Sequence, residues 1–397
     1  MKDLLDIVRA YPLVTAKGQP AALATVVSVE GSSYRRAGAR MLVAGDGRTW
    51  GGVSGGCLER DVANKARGVL ASGRAIIHRY DTTDDENLAA SAPPDPSPAA
   101  STGCFGAVEV FIQPLSAEQP GPIPLIARAL DSRQSTQMAS VIAASDPSLV
   151  NTTWIIAPGD GAPALPPPLA AAIAALPAVP VDSHRHTPSI RHRDGDQDLF
   201  IESIDPPQNM VIFGGGPDAV PLLTAAKALG WRVVVIATRP AADAAERFAA
   251  ADQLLLTNSD DPAAGLSLDD HTAVVMMTHN FDRDLRFLAA LNRPVRYLGI
   301  LGPRRRTDRL LAQAKLPAGF DRTGLFAPIG LDLGAESPDE IALAIVAEIL
   351  ATVRGRSAQP LCQRGGPIHE RSGESAAKAG AAGKPASSDR PFPSCPA

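Results

Sequence analysis

The stretch Met210–Pro240 constrains the fold more than any other part of the chain. It reads MVIFGGGPDAVPLLTAAKALGWRVVVIATRP, which is a buried strand, a glycine turn, a helix and a second buried strand. Gly214, Gly216 and Ala219 fit the pattern G-x-G-x-x-G/A directly after the first strand and at the start of the helix. In that context the pattern predicts a βαβ unit of the Rossmann type, whose glycine turn can bind phosphate groups.

The ligand of this glycine turn follows less directly from the sequence. An NAD site carries Asp or Glu at the end of the second strand, where this chain has Thr238 and Arg239. The buried run Ala273–Met277 is followed by His279, at the sheet edge where doubly wound proteins bind ligands, so His279 is a candidate acid/base group or phosphate partner of a bound cofactor. Three interpretations stay open: a phosphorylated ligand, a purely structural turn, and an NAD(P)-dependent oxidoreductase with a proton relay through His279. A strand-end histidine that only bonds a local backbone group is the alternative role for His279.

Three consecutive arginines, Arg304, Arg305 and Arg306, follow Pro303 in the first turn of another predicted helix. Positive side chains oppose the helix dipole at this end, and each costs a few tenths to about 1 kcal/mol at an exposed site. We therefore expect an anion opposite them, either a phosphate group of a bound molecule or an acidic patch on a partner or second subunit. The alternative is a solvated face.

A second glycine turn lies in the first half of the chain, where Gly51–Glu59 reads GGVSGGCLE. Glycines permit φ > 0 and close approach of a ligand, and the first amides of the helix that follows have no intrahelical partner. Cys57 lies at that helix start, where the dipole favours the thiolate. Gly55, Gly56 and Cys57 are therefore predicted to bind an anionic ligand, with Cys57 as a candidate metal ligand. The alternative is a small buried cysteine in a tight turn.

A basic turn precedes this segment. Arg35, Arg36 and Arg40 lie among glycines and serines in GSSYRRAGARMLV. Guanidinium groups match phosphate oxygens, so these arginines are predicted to contact the same anionic ligand. The alternative is a solvated surface loop.

A second glycine-flanked cysteine, Cys104, occurs in STGCFGAVEV just before an alternating apolar strand. Cys57 and Cys104 are 47 residues apart, and the chain has no zinc-ligand spacing, so a structural zinc site is not expected. Four cysteines in 397 residues, without an apolar signal peptide after Met1, favour the reducing cytoplasm.

Composition narrows the function classes further. The formal net charge of −4 is close to neutral for 397 residues, which argues against a nucleic-acid binder. The uncharged run 161–181 is interrupted by prolines and is not predicted to span a membrane. We predict an α/β domain over residues 1–118, an extension and linker over 119–205, a Rossmann-like domain over 206–354 and a disordered tail over 355–397.

Local patterns predict several elements. A short helix is expected from Lys2 to about Ala10, a strand over Ala22–Val29, and a helix from about Leu58 with apolar residues at helical spacing. Ser337 begins a capping box that predicts a helix over Pro338–Val353.

Seven motifs occur in a fixed order along the chain: GSSYRRAGARMLV, GGVSGGCLE, TGCFGAVEV, VIFGGGPDAVPLL, MTHNFDRD, YLGILGPRRR and PIGLDLGAESPDEIALAIVAEILA. Together they resemble the XdhC/CoxI family of xanthine dehydrogenase accessory proteins, over about residues 1–115 and 206–354. The resemblance places the family's first glycine–cysteine motif on Ser54–Glu59, which adds Ser54 to the candidate site, and its second on Gly103–Gly106. The nucleotide turn of the family falls on Phe213–Ala219.

The resemblance implies a function. Members of this family bind molybdenum cofactor (molybdopterin) and assist its sulfuration and insertion into molybdenum hydroxylases of the xanthine or carbon monoxide dehydrogenase type. They act as chaperones rather than as turnover enzymes. The implied partners are the target hydroxylase and a cysteine desulfurase, and we also expect a homo-oligomer.

The leading hypothesis is that the cofactor lies in a cleft between the two domains, with Cys57 near the metal and the arginines of the basic turn near its anionic periphery. The rival classes are the NAD(P)-dependent oxidoreductase and an interaction protein that has lost its ligand.

Overall fold

The computed structural model describes residues 1–31, 33–81, 106–156, 189–194, 197–238, 243–257, 265–266, 268–269, 271–291, 295–314, 316 and 324–364. These residues form three sheets, each with its own helices. None of the helices within the described ranges has the length and apolar character needed to cross a membrane. The run 161–181 lies outside those ranges.

The first sheet is formed by the N-terminal part of the chain. Its elements are α1 (Lys2–Thr15), β1 (Ala21–Gly31), β2 (Arg40–Ala44), β3 (Thr49–Gly51), α2 (Glu59–Ser72), β4 (Ile76–Asp81) and β5 (Gly106–Leu115). The strand order is β3-β2-β1-β5-β4, and all of the paired strands are antiparallel. Alternate residues of β1 face opposite sides, so α1 packs on one face of the sheet and α2 on the other. The predicted apolar side of α2 is buried there.

The second sheet lies where an extension and a linker were predicted. Its elements are α3 (Ile123–Asp131), β6 (Thr136–Ala144), β7 (Thr153–Ile155), β8 (Ile190–Asp194) and β9 (Gln197–Ile204). It is antiparallel, with the order β7-β6-β9-β8. This sheet was not predicted, because β8 reads as a polar loop, IRHRD. Arg191 of β8 is neutralised by Asp198 on β9 and by Glu109 on β5, which makes the charged strand stable beside the first sheet.

The third sheet is parallel and contains the glycine pattern. Its elements are β10 (Asn209–Phe213), α4 (Ala219–Ala228), β11 (Arg232–Thr238), α5 (Ala244–Arg247), β12 (Gln253–Thr257), β13 (Thr272–Met276), α6 (Phe281–Ala290), β14 (Tyr297–Ile300), α7 (Arg304–Gln313), β15 (Leu325–Phe326) and α8 (Pro338–Val353). The order is β12-β11-β10-β13-β14-β15. The two halves run outward from β10, which is the doubly wound Rossmann arrangement that the glycine pattern predicted. One face is covered by α4 and α8, and the other by α6 and α7.

Ion pairs connect the sheets. Arg40 on β2 pairs with Glu202 on β9, and both side chains are almost completely buried. Arg133, just after α3, pairs with Asp269 before β13 at 2.7 Å. The three sheets are therefore held together by specific charge pairs as well as by apolar packing.

Candidate functional site

The glycine–cysteine turn, residues 51–57, begins where β3 ends. Gly51 has φ 76°, and a Cβ atom there would clash with the carbonyl oxygen of Arg40. The amide of Gly52 donates to that same carbonyl at 2.8 Å. The chain therefore needs glycine at Gly51 to pass this close to β2 before it enters the turn.

The interior of the glycine–cysteine turn is filled by Glu59, the first residue of α2. Its carboxylate accepts hydrogen bonds from the amides of Val53 at 3.1 Å and Ser54 at 2.7 Å, and from the Ser54 hydroxyl. Burial opposes ionisation of this carboxyl group, but the hydrogen bonds outweigh it and lower the pKa of Glu59. The amides of Val53 and Ser54, which belong to the predicted anion-binding turn, are thus bound by the chain's own carboxylate.

Ser54 is buried, and its side chain bonds to the backbone on the far side of the turn. Its Oγ accepts from the amides of Gly56 at 3.2 Å and Leu58 at 3.0 Å. The structure therefore gives Ser54 a structural position inside the turn, while Gly55 and Gly56 are exposed on its outer side. Gly56 has φ 114°.

Cys57 is an exposed, unpaired cysteine, so the alternative of a buried residue is wrong. Its Sγ lies 3.5 Å from Ser54 Oγ, which is bound to Glu59. In the described part of the chain, no three His, Cys, Asp or Glu side chains are grouped closely enough to hold a metal ion. Within that part, Cys57 would act as a single soft donor.

The structure brings the basic turn and the glycine–cysteine turn together. The Tyr34 ring lies against Gly55, and the Arg35 guanidinium lies against Gly52. Arg35 is half-buried and pairs with Asp3 at 2.7 Å, so its charge is partly neutralised within the chain. Arg36 is exposed beside it.

Arg40 does not join the other two arginines of the basic turn. Its side chain is 1% exposed and its Nη1 donates to Glu202 Oε2 at 2.9 Å, with a second contact between Nη2 and Oε1. A buried guanidinium that is paired with a carboxylate is not available to an anion on the surface turn. The prediction that Arg40 contacts the anionic ligand is therefore wrong, because its position on β2 directs it into the contact with the second sheet, toward a partner 162 residues away.

The basic turn also lies near the junction with the Rossmann-like domain. Asp3, the partner of Arg35, is in the first turn of α1, and Gly230 of the Rossmann-like domain packs directly against Lys2. Burial lowers the pKa of the Met1 amino group; Asp3 opposes this, while the charges of Arg354 and Arg35 add to it. The start of α1 is therefore a point where both domains meet.

The Rossmann glycine turn lies at the carboxyl edge of the parallel sheet, as predicted. A Cβ on Gly214, which has φ 150°, would clash with Met277, and one on Gly215 would clash with Ala237. Gly216 lies under the carboxylate of Asp218, which precedes α4. The close approach of three strands explains why this turn needs small residues.

His279 and Asp218 form a pair across that edge, with 2.8 Å between His279 Nε2 and Asp218 Oδ2. His279 is 67% exposed and has φ 55°, a left-handed conformation. The structure thus gives its imidazole a carboxylate partner rather than a local backbone group. Asp218, which was not selected from the sequence, lies over Gly216 of the turn. Asn280 follows and caps α6.

The three arginines of α7 differ from one another. Arg306 pairs at 2.6 Å with Asp284 of α6, a side chain that is 1% exposed. The compensating acid for Arg306 is therefore within the chain, neither a bound phosphate nor a partner. Arg304 and Arg305 are exposed, and among the described residues neither has an ion-pair partner. An external anion remains the prediction for these two.

A groove of about 330 Å³ lies between α1 and the β2–β3 hairpin, lined by residues that include Arg9, Leu13, Arg48 and Trp50. It contains none of the predicted site residues. Cys104 and Arg239 lie outside the described residues.

Comparison with known proteins identifies the family. The XdhC Rossmann domain matches residues 210–349, and the XdhC and CoxI family matches residues 14–81. A protein from Bacillus subtilis (strain 168), named as a probable subunit of xanthine dehydrogenase, is 31% identical over 340 residues, which are 84% of this chain and 93% of that protein. The chain therefore belongs to the XdhC and CoxI family, as its motifs predicted.

Two further similarities extend over most of the chain. The molybdenum cofactor insertion chaperone PaoD of Escherichia coli (strain K12) is 25% identical over 365 residues, 91% of this chain and 92% of that protein. A crystal structure described as a xanthine dehydrogenase from Bacillus halodurans matches with a TM-score of 0.69 at 28% identity, covering 89% of this chain and 98% of that one. The predicted fold class, an N-terminal XdhC/CoxI-type α/β domain followed by a Rossmann-like domain, is confirmed.

Proposed function

We propose that this chain is a cytoplasmic accessory protein that binds molybdenum cofactor, assists its sulfuration and delivers it to a molybdenum hydroxylase of the xanthine or carbon monoxide dehydrogenase type. Similarity to a molybdenum cofactor insertion chaperone supports the cofactor as cargo. Similarity to a probable xanthine dehydrogenase subunit supports the hydroxylase as recipient. In this scheme a cysteine desulfurase supplies the sulfur, and the accessory protein is a homo-oligomer.

The exposed thiol of Cys57 is the observation that carries the proposal. The glycine–cysteine turn is held by Glu59 and Ser54 from inside, so the thiol is the reactive group left on its surface. Molybdopterin combines a soft metal–dithiolene centre with a phosphate. A thiol on a turn that also contacts the Arg35 guanidinium, with Arg36 next in the sequence, suits both parts. The cofactor, when bound, supplies the metal chemistry, while these residues hold and orient it.

The Rossmann turn supports a nucleotide-dependent oxidoreductase less well. The Asp218 carboxylate lies over Gly216, where a pyrophosphate would approach the backbone. Like charges repel, and Asp218 is held in this position by its contact with His279 at 2.8 Å, so the carboxylate opposes an incoming phosphate. We assign the Rossmann-like domain no turnover reaction.

The test is cofactor retention after anaerobic purification from a host that produces molybdenum cofactor. We expect the wild-type chain to retain molybdenum and pterin, and Cys57→Ser to lose most of both. Cys362→Ser is the matched control, because Cys362 is also exposed and unpaired. Molybdenum is measured by mass spectrometry and pterin by fluorescence of its oxidised form. Absence of both from wild type, or equal loss from the two variants, would contradict the proposal.

A further inference from the structure

We infer that Tyr34 is an aromatic platform on which the planar pterin ring of the cargo stacks, beside the thiol of Cys57. This inference rests on the proposed function and names the part of the cargo that the surface of the glycine–cysteine turn recognises. Tyr34 belongs to none of the residues selected from the sequence.

One face of the Tyr34 ring is already covered. A Cβ atom on Gly55 would lie 3.2 Å from Cγ, 3.3 Å from Cδ1 and 3.5 Å from Cδ2 of Tyr34. Because the two Cδ atoms are almost equally distant and Cγ is closest, that position is above the ring face rather than beside the ring edge. The backbone at Gly55 therefore supports the ring from below, and a methyl group at this position would push the ring away from the turn.

The other face is open. Tyr34 is 69% exposed, one of the most exposed large apolar side chains in the described part of the chain. An aromatic ring that packs on backbone through one face and meets water with the other loses little conformational freedom when a second ring stacks on it. This is the arrangement that proteins use to bind planar heterocycles without reading their edges.

The surroundings select an anionic heterocycle with a soft centre. Gly55 is two residues from Cys57, so the supported ring and the exposed thiol share one short turn. Arg35 and Arg36 directly follow Tyr34, and Arg35 lies against Gly52 of the same turn. Stacking area, a thiol and positive charge thus occur together at this turn, which matches a pterin that carries a phosphate and a dithiolene.

The experiment uses pterin-6-carboxylic acid as a soluble probe without metal, titrated against the full chain while pterin fluorescence is recorded. We expect Tyr34→Ala to weaken binding roughly tenfold, since stacking on one aromatic side chain is worth about that much. Tyr34→Phe keeps the ring and should bind within about twofold of wild type. Gly55→Ala should weaken binding although it keeps the tyrosine, because the added methyl group displaces the ring.

The outcomes separate this inference from the proposed function. Unchanged probe affinity in Tyr34→Ala, or no binding of the probe to wild type, would overturn the platform. Retention of molybdenum and pterin by wild type and equally by Tyr34→Ala would also overturn it, while leaving the proposed function in place. If the purified wild-type chain contains no cofactor, the proposed function is contradicted. The probe titration would still show whether the Tyr34 ring binds pterins. Thermal melting of each variant controls for folding.

Discussion

The two glycine turns look alike in sequence but are completed differently. Each turn precedes a helix, and an acidic residue lies at or just before the first residue of that helix. In the glycine–cysteine turn, Glu59 points inward and binds the turn's own amides, which leaves Cys57 exposed. In the Rossmann turn, Asp218 makes no side-chain cap of α4 and reaches instead to the exposed imidazole of His279.

The difference teaches that a glycine pattern predicts the path of the backbone better than it predicts what fills the turn. The first turn is closed by hydrogen bonds that a ligand would not displace, so its surface side chains determine what binds. The second is closed by a weak, solvent-exposed pair whose carboxylate lies over Gly216 and repels an anion there. This difference supports the proposal that the cargo binds at the first turn.

The largest effect is expected from a charge pair that supports the second turn. Asp284 is buried, pairs with Arg306 and accepts a hydrogen bond at 2.6 Å from Thr278, next to His279. Arg306→Gln leaves this carboxylate unpaired and should lower the free energy of unfolding by about 3 kcal/mol. Urea denaturation measures this loss of unfolding free energy. Arg305→Gln is the control, and equal destabilisation by both would show that Asp284 does not need Arg306.

A smaller effect is expected where the first turn is closed. Glu59→Gln should cost about 1–2 kcal/mol near neutral pH, because it weakens hydrogen bonds to a charged acceptor. Since folding lowers the pKa of Glu59, its stabilisation is present above the usual range for a glutamate and is lost as the pH falls through the lowered value. The variant and wild type should therefore converge in acid, which urea denaturation at several pH values measures.

The matching change in the second turn sharpens this result. Asp218→Asn should change stability by less than about 1 kcal/mol, since its partner is largely exposed. A cost for Asp218→Asn as large as that for Glu59→Gln would break the distinction between the two turns.

The smallest effect concerns the remaining arginines of α7. Replacing Arg304 and Arg305 together with Gln removes two positive charges from a helix N-terminus and should raise stability by a few tenths of a kcal/mol for each. A thermal melt without ligand measures the change. A marked decrease in thermal stability would mean that Arg304 or Arg305 makes a stabilising contact despite its exposed position.

Much of the fold was predictable because its signals are local. The helix that Ser337 caps carries its capping box in four residues, and the structure shows both reciprocal hydrogen bonds with Glu340. The buried face of α2 follows from helical periodicity, and the strand at Met210 follows from a continuous apolar run before the glycine turn. The charged strand β8 was not predictable, since its stability depends on acids on β5 and β9.

The path of the glycine–cysteine turn was predictable, but the contacts of the side chains around it were not. The cysteine and glycines predicted a turn before a helix, yet no local signal showed that Arg40 pairs with Glu202, 162 residues away. The sequence shows Glu59 only as a residue at a helix start, and it does not show that its carboxylate fills the turn. Tyr34 was missed because an isolated tyrosine in a basic loop carries no pattern until its ring is seen on Gly55.

The measurement that tests the central claim most directly compares one variant from each turn. Cys57→Ser and His279→Ala are purified anaerobically from the same cofactor-producing host, and molybdenum and pterin are quantified per chain. Both side chains are exposed, so neither change should unfold the protein. We predict that Cys57→Ser loses most of the bound cofactor while His279→Ala retains it at the wild-type level. Retention by Cys57→Ser together with loss from His279→Ala would contradict this claim and assign the cargo to the Rossmann turn.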